Sequence, residues 1–209
     1  MSSPVCRENS PFAEELRALA RAEAITPPPA NAILFYGSSS IRLWTSLASD
    51  FAKLPVVNHG FGGSTLPDCL SEMETLVYPL NPRAIVFYAG DNDLDQGASP
   101  ERVTHLLEQF ISGVRDRLGS IPIICISVKP SPSRFWNIAN IRRANAMMAE
   151  LVGACPDVHW LDVFSQMIDE RGGARHELFT EDCLHMNRRG YSLWASAVRE
   201  RLARLGLAD

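Results

Sequence analysis

Residues 33–41 read ILFYGSSSI, four apolar residues followed by a glycine, three serines and an isoleucine. A short apolar run that stops at glycine has the composition of a strand buried on both faces. Small hydroxyl residues leading into an apolar-periodic segment mark a turn into a helix. The stretch therefore predicts strand, tight turn and helix. Four more apolar runs, at 55–58, 84–88, 121–128 and 158–161, alternate with helical patterns at 41–51, 66–77, 100–118, 137–152 and 189–205. Ser99 and Pro100 suit the N-cap and first position of the third of these helices. Strands alternating with helices predict an α/β three-layer sandwich around a five-stranded parallel sheet, with any ligand bound beyond the carboxyl ends of the strands.

The chain has 209 residues, 46% of them hydrophobic, which is enough to fill the core of one domain, expected at 31–209. Residues 1–30 read as a leader in which a helix over 12–24 stops at Pro27, Pro28 and Pro29. A net charge of −4 with dispersed Lys and Arg carries no polyanion-binding footprint, so no nucleic-acid partner is expected. Cys6, Cys69, Cys125, Cys155 and Cys183 lack paired spacing and are expected to be reduced thiols, with no metal site. The first residues carry Glu14 and Glu15 and no apolar core of a signal peptide, and no stretch approaches about 18 uninterrupted apolar residues. No membrane span and a cytoplasmic protein are the expectation; oligomeric state is not readable.

Three segments at predicted strand ends and one ahead of the last helix can carry chemistry. Gly37-Ser38-Ser39-Ser40 opens a helix, where backbone N–H groups are free to meet a developing negative charge, although serines there also serve as caps. The loop Asn58-His59-Gly60-Phe61-Gly62-Gly63-Ser64-Thr65 can form an anion nest, and it lacks a phosphate-loop pattern. After the third strand, Asp91-Asn92-Asp93 offers an amide donor at Asn92; two carboxylates beside one Asn make an incomplete cation loop. Asp182-Cys183-Leu184-His185 spaces a carboxylate and an imidazole so that one can orient the other, or either can cap the helix that follows. His59, His105, His159 and His176 have no partner at catalytic or metal spacing.

With these segments in this order, FYGSSSI, NHGFGGST, YAGDND and DCLHMN, the sequence resembles the SGNH hydrolase superfamily, the GDSL-like esterases and lipases, in its platelet-activating-factor-acetylhydrolase-like branch. The resemblance runs from about residue 33 to the C-terminal helix and implies a flavodoxin-like sheet and a serine hydrolase without cofactor. It implies Ser39 as nucleophile, His185 as base and Asp182 as its orienter. The Ser39 and Gly63 backbone N–H groups and the Asn92 side chain would form the oxyanion hole. Ser38 stands where the usual motif has Asp, and the triple serine leaves Ser38 or Ser40 as alternative nucleophiles. The implied partner is a small-molecule ester, short-chain or acetyl by expectation. Carbohydrate deacetylation, lysophospholipase or thioesterase activity, and a catalytically silent carbohydrate-binding or scaffold protein are alternatives. Phe61, Leu94, Lys129, Arg134 and Trp136 lie in loops after strands and are candidate substrate contacts, with core packing or solvated surface as the competing explanation.

Overall fold

The computed structural model describes residues 11–208. Cys6 and the first ten residues of the expected leader lie outside the described residues. The chain runs α1 Ala13–Ile25, β1 Ile33–Gly37, α2 Ser39–Arg42, α3 Leu47–Asp50, β2 Val56–Gly60, α4 Leu66–Ser71, α5 Met73–Leu76 and β3 Ala84–Tyr88. It continues α6 Asp91–Asp95, α7 Pro100–Leu118, β4 Ile123–Ile126, α8 Ile138–Gly153, β5 Val158–Leu161 and α9 Arg188–Arg204. The five strands pair in parallel in the order β2-β1-β3-β4-β5, so β3 is central and the carboxyl end of β1 lies between those of β2 and β3.

Alternation along β1 explains the layers. Leu34 and Tyr36 pack with Leu16, Leu66, Phe87, Phe110 and Met148, a core built with α1, α4, α5, α7 and α8. Ile33 and Phe35 face the other way, onto Trp44, Trp194 and Val198 of the layer formed by α2, α3 and α9. The inner strands β1, β3 and β4 are thus buried along their whole length because both faces carry helices, while the edge strands β2 and β5 admit Asn58, His59 and His159.

Two expected helices are interrupted and one strand is shorter. The 41–51 segment breaks into α2 and α3 because Trp44 turns inward, its backbone N–H bonding Ile41 O at 3.0 Å and its indole N–H meeting Asp50 at 2.8 Å. The 66–77 segment divides at Glu72, whose φ of −100° and ψ of 5° leave the helical range. Beyond β4, the Asn145 side chain takes the role of a neighbouring strand, accepting from Val128 N at 2.8 Å and donating to Val128 O at 2.9 Å. Strand β2 runs two residues past its expected end, into His59-Gly60, pairing with Tyr36-Gly37.

The leader helix is seated on the domain. Leu16 is buried, Phe12 meets Phe61 edge-to-face at 5.0 Å, and Glu23 reaches the buried His59 at 2.5 Å. His59 Nδ1 bonds Leu76 O at 2.6 Å, so this histidine is a packing residue between the leader and α5. Cys69 and Cys125 are buried free thiols, and Cys155 and Cys183 are free and partly exposed.

Candidate active site

The carboxyl end of β1 meets its neighbours without room for a side chain. Gly37 has φ 134°, and a Cβ there would lie 1.9 Å from Tyr88 O, inside any allowed contact. Glycine therefore lets β1 close against β3 while the chain turns into α2. Ser38 N donates to Tyr88 O at 3.0 Å, and Phe61 N to Gly37 O at 3.0 Å, which ties the starts of two loops to the same point.

The three serines then separate by environment. Ser38 and Ser40 are each 2% exposed, and the Ser40 carbonyl accepts the Tyr191 hydroxyl at 3.0 Å. Ser39, between them, is partly exposed and its Oγ stands 3.1 Å from His185 Nε2.

His185 comes from a turn that Asp182 organises. Asp182 Oδ1 accepts the backbone N–H groups of Leu184 and His185, each at 2.9 Å, and the Thr180 hydroxyl at 2.7 Å. Its other oxygen meets His185 Nδ1 at 2.6 Å. A carboxylate only accepts, so Nδ1 carries the hydrogen and Nε2 offers its lone pair to Ser39. Burial pushes the Asp182 carboxyl up, but the His185 and Leu184 N–H groups and the Thr180 and His185 side chains outweigh it and hold the carboxyl well below the ordinary range. The side chain of Asp182 is 48% exposed, so these bonds, not seclusion, keep it charged. The cap of α9 is Asn187, which accepts from Arg189 N at 2.9 Å and Gly190 N at 3.3 Å, leaving Asp182 and His185 to each other.

The loop 61–65 leaves the carboxyl end of β2, next to that of β1. Gly63 is exposed at φ 66°, where only glycine is comfortable, and both of its neighbours are anchored. Gly62 N donates to Glu15 at 3.0 Å, and Ser64 O accepts Asn92 Nδ2 at 2.9 Å. Asn92 lies in α6, and one of its two amide hydrogens remains beyond the bond to Ser64. The neighbouring carboxylates have different partners: Asp91 is held by Lys129 and Arg134, while both oxygens of Asp93 accept Leu66 N, at 3.0 and 3.1 Å.

Of the five candidate substrate contacts, three are corrected by burial. Phe61 at 1%, Leu94 at 2% and Lys129 at 1% exposure cannot line an open pocket. Phe61 fills the space between Phe12 and Tyr36, Leu94 joins the same core, and Lys129 is an ion-pair partner of Asp91. Arg134 is mostly buried and engaged by Asp91, Asp95 and Asn92. Trp136 is 71% exposed. Glu15, read in the sequence only as a charge of the leader, bridges Gly62 N and Arg42 Nε from that element.

A family model described as GDSL-like Lipase/Acylhydrolase family matches residues 34–193. The chain belongs to that family. It is accordingly an ester-hydrolysing enzyme with the α/β/α fold that the resemblance implied. No curated protein sequence matches significantly. Among solved structures, the enzyme is similar to a platelet activating factor protein from Streptococcus pneumonia, with a TM-score of 0.79, 22% identity, and coverage of 90% of this chain and 92% of the other. A GDSL-like lipase from Bacteroides thetaiotaomicron superposes with a TM-score of 0.76 at 19% identity, covering 91% and 98% of the two chains. A family 3 carbohydrate esterase from Clostridium thermocellum does so with a TM-score of 0.66 at 17% identity, covering 87% and 100%. At these identities the likeness is one of fold. No helix among the described residues is long and apolar enough to cross a membrane.

Proposed function

We propose that this acylhydrolase is a serine esterase for short acyl esters, acetyl foremost, working through an acyl-enzyme. The observation that carries the reading is the continuous chain from Ser39 Oγ to His185 Nε2 at 3.1 Å and from His185 Nδ1 to Asp182 at 2.6 Å. His185 takes the Ser39 proton as the oxygen attacks the ester carbonyl, and Asp182 stabilises the imidazolium that forms. The tetrahedral oxyanion receives the Ser39 and Gly63 N–H groups and the free Asn92 amide hydrogen. His185 returns its proton to the leaving alcohol. Water, deprotonated in turn by His185, then attacks the acyl-enzyme, and the acid departs with Ser39 restored.

One further observation favours a carbohydrate ester as the natural substrate. The exposed Trp136 sits in the 3-10 helix Pro132–Asn137, and that segment is hooked to the catalytic turn by Ser133 N donating to Cys183 O at 3.0 Å. An indole face in water beside an acyl site is suited to stack on the apolar face of a sugar ring. Both readings are tested by hydrolysis of p-nitrophenyl acetate to octanoate and of an acetylated xylo-oligosaccharide, with wild type, Ser39→Ala and His185→Ala. Wild type should cleave the short esters, and each variant should lose at least about 10³-fold in kcat. A Ser39→Ala variant that keeps its rate ends the triad reading. A kcat/KM for the oligosaccharide below that for p-nitrophenyl acetate ends the carbohydrate one.

A further inference from the structure

The acyl-transfer steps leave a buried charged cluster behind Asn92 without a task. Asp91 Oδ2 takes the Lys129 ammonium and the Tyr88 hydroxyl, the latter at 3.2 Å, and Oδ1 takes Arg134 Nη1 at 2.8 Å. The second terminal nitrogen of Arg134 reaches Asp95 Oδ2 at 3.1 Å and Asn92 Oδ1 at 3.0 Å. The guanidinium therefore grips the carbonyl end of the amide whose nitrogen end faces Ser64 and the site. Arg134 lies in the same segment that Ser133 hooks to the turn carrying His185, so it stands between the two halves of the proposed machinery.

We propose that Arg134 is a positioning residue for the oxyanion donor: it fixes which way the Asn92 amide points and strengthens its remaining N–H. A flipped amide would set its NH₂ against the guanidinium, and its oxygen against both Ser64 O and the oxyanion, turning three attractions into repulsions. The charge-assisted bond to Oδ1 also draws electron density from the amide nitrogen, which makes its hydrogens better donors. Only a planar fork can meet Asp91 and Asn92 together in this way; an ammonium at the same place can satisfy one of them. The charge of Arg134 is balanced by Asp91 and Asp95, so its action is on the amide and not a general field.

This inference rests on the esterase reading and on Asn92 as a donor, and the experiment separates them. Wild type, Asn92→Ala, Arg134→Met, Arg134→Lys and the Asn92→Ala/Arg134→Met double variant are compared on p-nitrophenyl acetate, with labelling by a fluorophosphonate probe. Asn92→Ala should lower kcat by on the order of 10² to 10³. Arg134→Met and Arg134→Lys should each lower it by roughly tenfold or more with KM nearly unchanged, and the double variant should be no slower than Asn92→Ala alone beyond about twofold. If Arg134→Met slows the Asn92→Ala enzyme by the same factor as it slows wild type, or lowers Tm while kcat stands, the proposal is overturned. Should Arg134→Met be insoluble, the double variant is built with Arg134→Lys and read by the same criterion. A wild type that neither turns over any ester nor takes the probe overturns the esterase reading itself.

Discussion

Gly63 hangs between two supports of opposite character. On the inner side, Ser64 is held by Asn92, and Asn92 by a cluster of buried ions: Asp91, Lys129 and Arg134. On the outer side, Gly62 is held by Glu15 of α1, which also pairs with Arg42 of the helix that carries Ser39; Glu15 and Arg42 are 32% and 45% exposed. Charges withdrawn from water cannot trade one partner for another, so the inner support is rigid and intolerant of loss. Charges in water trade partners freely, so the outer support is soft. Two carboxylates with the same task thus differ in consequence because of their solvent.

The contrast is sharpest at Asp91. Asp91→Asn leaves Lys129 and Arg134 without their shared anion and should cost about 3–5 kcal/mol, a fall of roughly 10 °C in Tm by thermal unfolding. Asp93, two residues on, tests whether the inner region tolerates every buried carboxylate equally. Burial pushes its carboxyl from 3.8 to about 6, only partly offset by the Leu66 N–H. The folded protein then holds this proton more tightly than the unfolded chain does. Its contribution to stability is full below about 3.8 and is lost as pH rises through about 6. The stability of wild type relative to Asp93→Asn should therefore rise by on the order of 2 kcal/mol between pH 7.5 and pH 4, followed by urea unfolding across that range. Glu15→Gln should be the mildest, within about 1 kcal/mol in the same assay, with the difference shrinking in 1 M salt. A Glu15→Gln loss as large as that of Asp91→Asn would erase the distinction between the two supports.

The contrast also tracks what could be read in advance. Strands β1 and β3 were legible because doubly buried strands are nearly unbroken apolar runs, and Gly37 marks where one of them ends. Ser39, Asp182 and His185 were legible as a resemblance carried by short motifs, and Ser99 as a helix cap is met by its bond to Arg102 N at 3.2 Å. The breaks at Trp44 and Glu72 were not, since helix periodicity continues through both and tertiary packing decides them. Nor was the inner cluster: Asp91 and Lys129 are brought together from the ends of β3 and β4, and no local pattern pairs residues that far apart. Lys129 and Arg134 were expected at a substrate because long cations in a polar loop usually face water. Here two buried or half-buried carboxylates on α6 draw them inward.

The seating of α1 has a practical reading for anyone trimming this chain for expression. A fragment cut to the family match, residues 34–193, would uncover the Phe61 ring and strip His59 of Glu23. It would also amputate the buried Ala195, Val198 and Leu202 from the last helix. Such a fragment would present sticky apolar faces on both sides of the sheet and aggregate, whereas a fusion tag placed ahead of Phe12 and joined by a flexible spacer leaves those faces covered. The smallest unit that folds is thus larger than the smallest unit that is recognisable by descent.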